Sequence, residues 1–308
     1  MGNKTAPLYS ATRQQADRFL RRLKKQNGGV ICGDQPLILR ADIYKAETKL
    51  TPYWVRIPVS GKRGKLNFPM GISSSIPDGA IFDEAKLLKL NGDFYAYLTV
   101  EKDIQIDRKP VGILAIDAGI HHLATTVNSF ERKPRFYGKK LRELRALFYH
   151  LRKALQMNGA YEALKRIGDK ESRITNDILH KVSTAIVEEA DKLNLAIVIG
   201  DLKGIRLQRR YSRGFVRKLH SFPFHKLFQM IRYKAQWRGI KVIEVSEAYT
   251  SQTCHHCHSK GLRVGGKFKC FVCGREYNAD YNGAYSIMNR GMGHALSQGL
   301  LLAQPRTR

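Results

Sequence analysis

The chain has 308 residues, 54 Lys and Arg against 26 Asp and Glu, and a formal net charge of +28. Its hydrophobic fraction of 43% is that of a globular protein with a core, and the absence of any run of about 18 apolar residues or of an apolar leader over residues 1–10 speaks against a transmembrane helix or signal peptide. A positive charge of that size repels itself in a compact fold and calls for a polyanion; nucleic acid is the usual one, a merely solvated basic surface the bland alternative.

Along the chain, residues 11–26 read as a helix with a basic face (Arg13, Arg18, Arg21, Arg22, Lys24, Lys25). Cys32, between Ile31 and Gly33, reads as an ordinary small buried residue. From Leu37 to about Ile106 the pattern is β-like. Tyr53 to Val59 alternates, Gly61-Lys62-Arg63-Gly64 forms a basic turn, and Leu66-Asn67-Phe68 resumes. Leu87–Leu90 and Phe94–Val100 flank Asn91-Gly92-Asp93, the signature of a hairpin. The expectation is a small twisted β-barrel or sheet with basic loops. Lys109-Pro110 punctuates the chain, and a domain boundary is placed near residue 107.

A new apolar run, Val111 to Asp117, opens the second half. Two short strands follow, over about 120–128 and 133–138, then a basic helix over 139–156. A longer helix over 170–193 carries Ile174, Ile178, Leu179, Val182, Ala185 and Ile186 at helical spacing. Leu195 to Ile199 reads as a buried strand, Gln208 to Lys218 as a basic loop, Phe222 to Arg238 as a helix and Lys241 to Val245 as a strand. Strands alternating with helices predict a mainly parallel α/β core.

Cys254-His255-His256-Cys257 and Cys270-Phe271-Val272-Cys273 are two C-x-x-C knuckles with twelve residues between them. Such a pair can set four thiolates tetrahedrally around Zn²⁺. Four cysteines complete a closed site, so His255 and His256 are read as non-ligands. The zinc is then structural, ordering a segment that has little core of its own, and takes no part in hydrolysis.

Two acids stand out. Asp117 ends the apolar strand Ile113–Ile116, where it could hold a hard cation at a sheet edge or simply form a turn. Asp280 opens a helix in Asn278-Ala279-Asp280-Tyr281-Asn282-Gly283-Ala284, where an N-cap is the plain alternative.

The order of strand-Asp117, Gly200-Asp201-Leu202-Lys203-Gly204-Ile205, Tyr249-Thr250-Ser251-Gln252-Thr253-Cys254, the paired knuckles and Asp280-Tyr281-Asn282-Gly283-Ala284 resembles the TnpB family of insertion-sequence proteins and the related type V CRISPR effector nucleases. The resemblance is most specific over 111–290, and closest over 249–290. Residues 11–106 resemble the later part of the family's N-terminal region, so the chain is expected to be short at its N-terminus. The resemblance implies an α/β, RNase H-like (RuvC) fold with an inserted zinc ribbon. Its divisions are 1–107, a partial helical recognition piece with a wedge-like β-barrel; 108–250, the RuvC core; 251–277, the ribbon; and 278–308, a C-terminal helix and tail. It implies an RNA-guided, Mg²⁺-dependent DNA endonuclease tied to a transposable element, with guide RNA and target DNA as partners, working in a prokaryotic cytoplasm at the nucleoid.

In that family three acids hold two Mg²⁺ ions, consistent with the oxygen ligands this hard cation takes. The first falls on Asp117 and the third on Asp280. The second is usually a Glu ending the fourth strand, where this chain has Gly200. Two readings follow. Either the nuclease is inactive and the protein is a guided DNA binder or relic, or another acid fills the space. Asp201 is next in the chain, but one step along a strand reverses the side chain. Glu247, just past the strand Lys241–Val245, is the better candidate if that strand neighbours 195–199, because the two ends would then lie about 5 Å apart. Basic residues interleaved with aromatics over 137–153 and 203–218, Arg206 foremost, suit single-stranded nucleic acid.

Overall fold

Period-two alternation builds the first part of the chain. Strands β1 (Leu37–Leu39), β2 (Lys45–Glu47), β3 (Tyr53–Pro58), β4 (Lys65–Met70), β5 (Ile81–Leu90) and β6 (Asp93–Glu101) form two three-stranded antiparallel sheets, β1-β5-β6 and β2-β3-β4. Leu39, Tyr44, Val55 and Ala85 make their shared core. The Tyr44 hydroxyl donates to the Asp83 carbonyl at 2.6 Å, so its polar tip is satisfied at the core margin. The computed structural model describes residues 37–42, 44–47, 53–58, 65–70, 79–90, 93–104, 108–201 and 222–301. The helix expected over 11–26, Cys32, the turn at 61–64 and the basic loop at 203–218 with Arg206 lie outside them. The chain divides into two compact units between Asp103 and Ile104.

The second unit is built on a five-stranded sheet of β7 (Gly112–Asp117), β8 (Ala124–Asn128), β9 (Pro134–Tyr137), β10 (Leu195–Asp201) and β11 (Val242–Ser246), in the order β9-β8-β7-β10-β11. β7, β10 and β11 run parallel, while β8 and β9 are antiparallel additions. The expectation of a mainly parallel sheet is corrected here. The links 118–123 and 129–133 are too short for a parallel crossover, which needs a dozen residues or more.

Helices α1 (Lys139–Met157), α2 (Tyr161–Ile167), α3 (Lys170–Lys192), α4 (Phe224–Trp237) and α5 (Ala279–Ser297) complete the unit. Leu114, Ile116, Leu195, Ile197 and Ile199 face one way, against Leu141 of α1, Leu179 and Ile186 of α3 and Leu227 and Ile231 of α4. Ile113, Ala115, Ala196 and Val198 face the other way, against Ala284, Ile287 and Met288 of α5. A strand covered on both faces must be apolar throughout, which is why 113–116 and 195–199 read as unbroken apolar runs. α2 escapes a periodicity reading because it buries no residue.

Strands β12 (Gly261–Val264), β13 (Lys267–Cys270) and β14 (Glu276–Asn278) form a small antiparallel sheet around the fully buried Phe268. Among the described residues, no helix is long and apolar enough to cross a membrane.

Candidate metal centres

The carboxylates collect where parallel strands end. Asp117 is the last residue of β7, and Glu247 follows β11 directly. In the β10–β11 ladder Gly200 faces Val245 and Asp201 faces Ser246, so Glu247 lies one step past the last pair. A Cβ on residue 200 would lie 1.8 Å from Glu247 Oε1 and 2.2 Å from its Cγ. Gly200 thus keeps open the volume that the Glu247 side chain occupies. Glu247 Oε1 is shielded from solvent and accepts no hydrogen bond among the described residues. An orphaned buried carboxylate oxygen is costly, and a bound cation is one way to satisfy it.

The third acid comes from α5. Asn278 caps this helix, its side chain accepting from the backbone N–H groups of Asp280 and Tyr281 at 2.9 and 3.1 Å. The capping role weighed for Asp280 therefore belongs to Asn278, and the Asp280 carboxylate is turned elsewhere. Its Oδ2 lies 2.9 Å from His122 Nδ1, and its Oδ1 accepts from Arg263 Nη2 at 2.9 Å. His122 itself packs on Phe136, ring centroids 4.6 Å apart. One helical turn beyond Asp280, a Cβ on Gly283 would meet Asp117 Oδ2 at 2.5 Å. The missing side chain at 283 lets α5 close on Asp117.

The electrostatics follow from this crowding. Burial pushes the Asp117 carboxyl well above the usual range; the Glu247 and Asp280 charges push it the same way, and Arg263 opposes them. Burial, then the Asp201 charge, pushes Glu247 up to about 7. Buried carboxyls with raised proton affinity, Asp117 beside the Glu247 and Asp280 charges above all, are a natural binding set for hard cations, which replace protons when they bind. The donor set is all oxygen, as Mg²⁺ prefers.

In the thiol cluster, Cys254 and Cys273 sulfurs are 3.8 Å apart and those of Cys257 and Cys270 3.4 Å. Tetrahedral thiolates at a Zn–S distance of about 2.3 Å would be about 3.8 Å apart, so the residues present fit a metal ion such as zinc. All four are free of disulfides. His255 is engaged elsewhere: its backbone N–H donates to Asn282 Oδ1 at 3.0 Å, its ring Nδ1 lies 3.0 Å from the same oxygen, and the ring packs among Tyr277, Tyr281 and Tyr285. Burial pushes its pKa down. Asn282 Nδ2 donates to the Thr253 carbonyl and Asn289 Nδ2 to that of His255, at 2.8 and 3.1 Å. The first knuckle is thereby laced to the helix that carries Asp280.

Several functional neighbours escaped the sequence reading: His122, Arg263, Asn282 and Gly283. Arg263 and His122 gave no signal because their partner is distant in sequence. Asn282 and Gly283 stood in the quoted motif without a stated role. Of the residues on or beside α1 singled out for nucleic acid, Phe148 is buried, the Tyr137 hydroxyl faces Glu189, and Arg145 and Arg152 turn to Glu171. Lys139, Lys140, Arg142, Tyr149 and Lys153 remain exposed.

Residues 224–287 match the family model described as Cas12f1-like, TNB domain. The putative RNA-guided DNA endonuclease InsQ of Escherichia coli K12 is 31% identical over 233 residues, covering 67% of this chain and 55% of InsQ. The TnpB-like protein aq_aa05 of Aquifex aeolicus is 26% identical over 243 residues, covering 70% of this chain and 79% of that protein. Among solved structures, the AacC2c1–sgRNA binary complex superposes with a TM-score of 0.52 at 11% identity, covering 91% of this chain and 59% of that one, a likeness of fold alone. The chain thus spans about half the length of InsQ.

Proposed function

We infer from the chain's similarity to TnpB-like and Cas12f-like proteins that it is an RNA-guided, Mg²⁺-dependent DNA endonuclease with Asp117, Glu247 and Asp280 as its catalytic carboxylates. The observation that carries this is the fit of Glu247 into the side-chain space of Gly200: the carboxylate expected at the end of β10 is supplied from the end of β11. The five-stranded unit is then an RNase H-like RuvC core, and the β12–β14 piece a zinc ribbon inserted before its last helix.

Bound between the three carboxylates, Mg²⁺ supplies activation of water and stabilisation of the leaving oxygen of a phosphodiester. The chain's own residues hold and orient. Asp117 and Glu247 present oxygens from neighbouring strand ends, and Asp280 presents its own from α5. His122 and Arg263 fix the Asp280 carboxylate from both sides. Cys254, Cys257, Cys270 and Cys273 hold a structural zinc that orders the ribbon and so sets where Arg263 reaches. Pairing with a guide RNA selects the target DNA, while the protein binds backbone through its excess of cations. The work is done in a prokaryotic cytoplasm, at the nucleoid, for a transposable element.

Gly200 itself favours a second reading: a guided DNA binder without cleavage, should the relocated acid fail to hold the cation. One experiment separates the two. The protein is purified with RNA co-expressed from its own locus. It is then given Mg²⁺ and double-stranded DNA in which the guide-matched sequence adjoins a library of flanks, with Asp117→Ala and Glu247→Ala in parallel. Cleavage by the wild type and none by either variant is the expected result. Guide-dependent binding without cleavage by the wild type would establish the second reading.

A further inference from the structure

Glu247 needs a hold that the sheet does not provide. The β10–β11 ladder ends at the Asp201–Ser246 pair, so the backbone of Glu247 lies beyond the last strand partner. Directly after it the chain turns, with Tyr249 in the left-handed region at φ 64°. An acid at the end of β10 would have a strand on both sides; one placed after β11, at the sheet edge, does not.

The hold comes from α5. Arg290 Nη1 donates to the Ser246 carbonyl at 2.6 Å, and Nη2 donates to the Ala248 carbonyl at 2.7 Å. These two carbonyls flank Glu247. Nη1 fixes the peptide before Glu247 and Nη2 the peptide after Ala248, so the short stretch that carries the Glu247 Cα–Cβ bond is pinned at both ends, and with it the line along which the carboxylate enters the space beside Gly200. A guanidinium can do this because its two N–H arms diverge from a rigid plane; an ammonium is a single point. The Glu247 carbonyl is also held, by the Thr250 backbone N–H at 3.1 Å and hydroxyl at 2.9 Å, so the turn is tied on its far side as well. α5 is also the helix that carries Asp280 and closes on Asp117 at Gly283. All three carboxylates are thus referenced to one rigid element.

We propose that Arg290 is the positioning residue for Glu247, the clamp that makes a carboxylate from beyond β11 usable in place of one from β10. This rests on the reading of Glu247 as a cation ligand. Among the described residues, the partners of the Arg290 guanidinium are these two backbone carbonyls, and it acts through the backbone it grips.

The test is Mn²⁺ binding to the purified full chain, by calorimetry, which needs neither guide nor target; where the wild type cleaves, kcat and KM are read as well. Arg290→Ala is expected to weaken Mn²⁺ binding about 10–100-fold, the usual cost of losing a group that orients a ligand. The loss should fall on kcat with the KM for DNA unchanged. Arg290→Lys should lose affinity as well. The deciding background is Gly200→Glu with Glu247→Ala, which returns the carboxylate to β10. There Arg290→Ala should change Mn²⁺ affinity by less than about 2-fold, since the clamped residue is no longer a ligand. An equal loss in both backgrounds would show a general structural role and overturn the proposal. So would wild-type affinity in Arg290→Ala or Arg290→Lys, and the Lys arm decides should the transposed background bind no Mn²⁺. Wild-type affinity in Glu247→Ala would instead overturn the ligand assignment itself, and the clamp with it. Arg290-dependent Mn²⁺ binding in a protein that cuts no DNA would leave the clamp standing and remove the nuclease reading.

Discussion

A methyl group at position 200 collides with a carboxylate that begins 47 residues further along, 1.8 Å from where that methyl would sit. In Gly200→Ala the Glu247 side chain has to leave its place. Mg²⁺-dependent cleavage is expected to fall about 10²-fold, the scale at which an ångström of misplacement is felt. The thermal midpoint should barely move, because the change is a gain of one methyl in a strand. Glu247 also sets a pH dependence. Its carboxyl is raised from an ordinary 4.5 to about 7, so the folded protein binds a proton that the unfolded chain has released over that window. Stability therefore falls as pH rises from about 4.5 to 7, when no divalent cation occupies the site. Glu247→Gln removes that titration. The difference in urea midpoint between wild type and Glu247→Gln, measured at pH 5 and pH 8 in zinc-loaded protein without Mg²⁺, should shift against the wild type at the higher pH. Added Mg²⁺ should restore the wild type alone.

The elements were legible where one periodicity governed them. The helix expected over 139–156 spans Lys139–Met157, and that over 170–193 spans Lys170–Lys192, because each lays an apolar stripe on the sheet. The apolar runs at 111–117 and 195–199 became central strands for the same reason. Spacing alone drew the four cysteines together. Three things were not legible. The antiparallel β8–β9 hairpin was hidden because only link length distinguishes it from parallel strands. The Asn278 cap and the Asp280 ion pair were hidden because Asn and Asp two residues apart are equally good caps. The partners of Asp280, His122 and Arg263, come from separate elements, and no local pattern connects them. The β12–β14 sheet shows what its packing contributes. Asn282 is fully buried, and it satisfies both a knuckle N–H, that of His255, and the Thr253 carbonyl just before the knuckle. Asn282→Ala should cost about 2 kcal/mol by leaving them unpaired, read as a lowered urea midpoint. Phe268→Ala should cost about 3–5 kcal/mol, and chelation of the thiol-bound metal should mimic it by melting β12–β14 ahead of the main sheet, visible as early loss of amide protection there.

For the whole molecule the net charge of +28 is the dominant fact, and it predicts behaviour more readily than it predicts residues. Affinity for RNA or DNA should fall linearly in log salt. If about 6–10 phosphates are neutralised, the loss between 50 and 200 mM is about 10³–10⁵-fold, which filter binding would measure. Which cations do this was only partly readable. On α1, Arg145 and Arg152 are taken up by Glu171, while Arg108 and Arg238 reach Asp191. Lys139, Lys140 and Lys153 stay exposed. Reversing these three charges together should flatten the salt dependence without moving the thermal midpoint, because none of the three lies in the core.

The shared volume beside β10 also constrains how such a protein can change over generations. A side chain at 200 and Glu247 in its present conformation exclude one another, since the first atom of the one falls on the oxygen and carbon of the other. Small residues at both positions leave the cluster an acid short. A change at either position alone disturbs the three-acid cluster, so the two arrangements are expected to exchange by paired substitution. A relative that shares Gly200 should therefore carry its acid at the position of Glu247, and a search for the acid at the end of β10 alone would count such chains as broken when they have moved the same group to the adjoining strand.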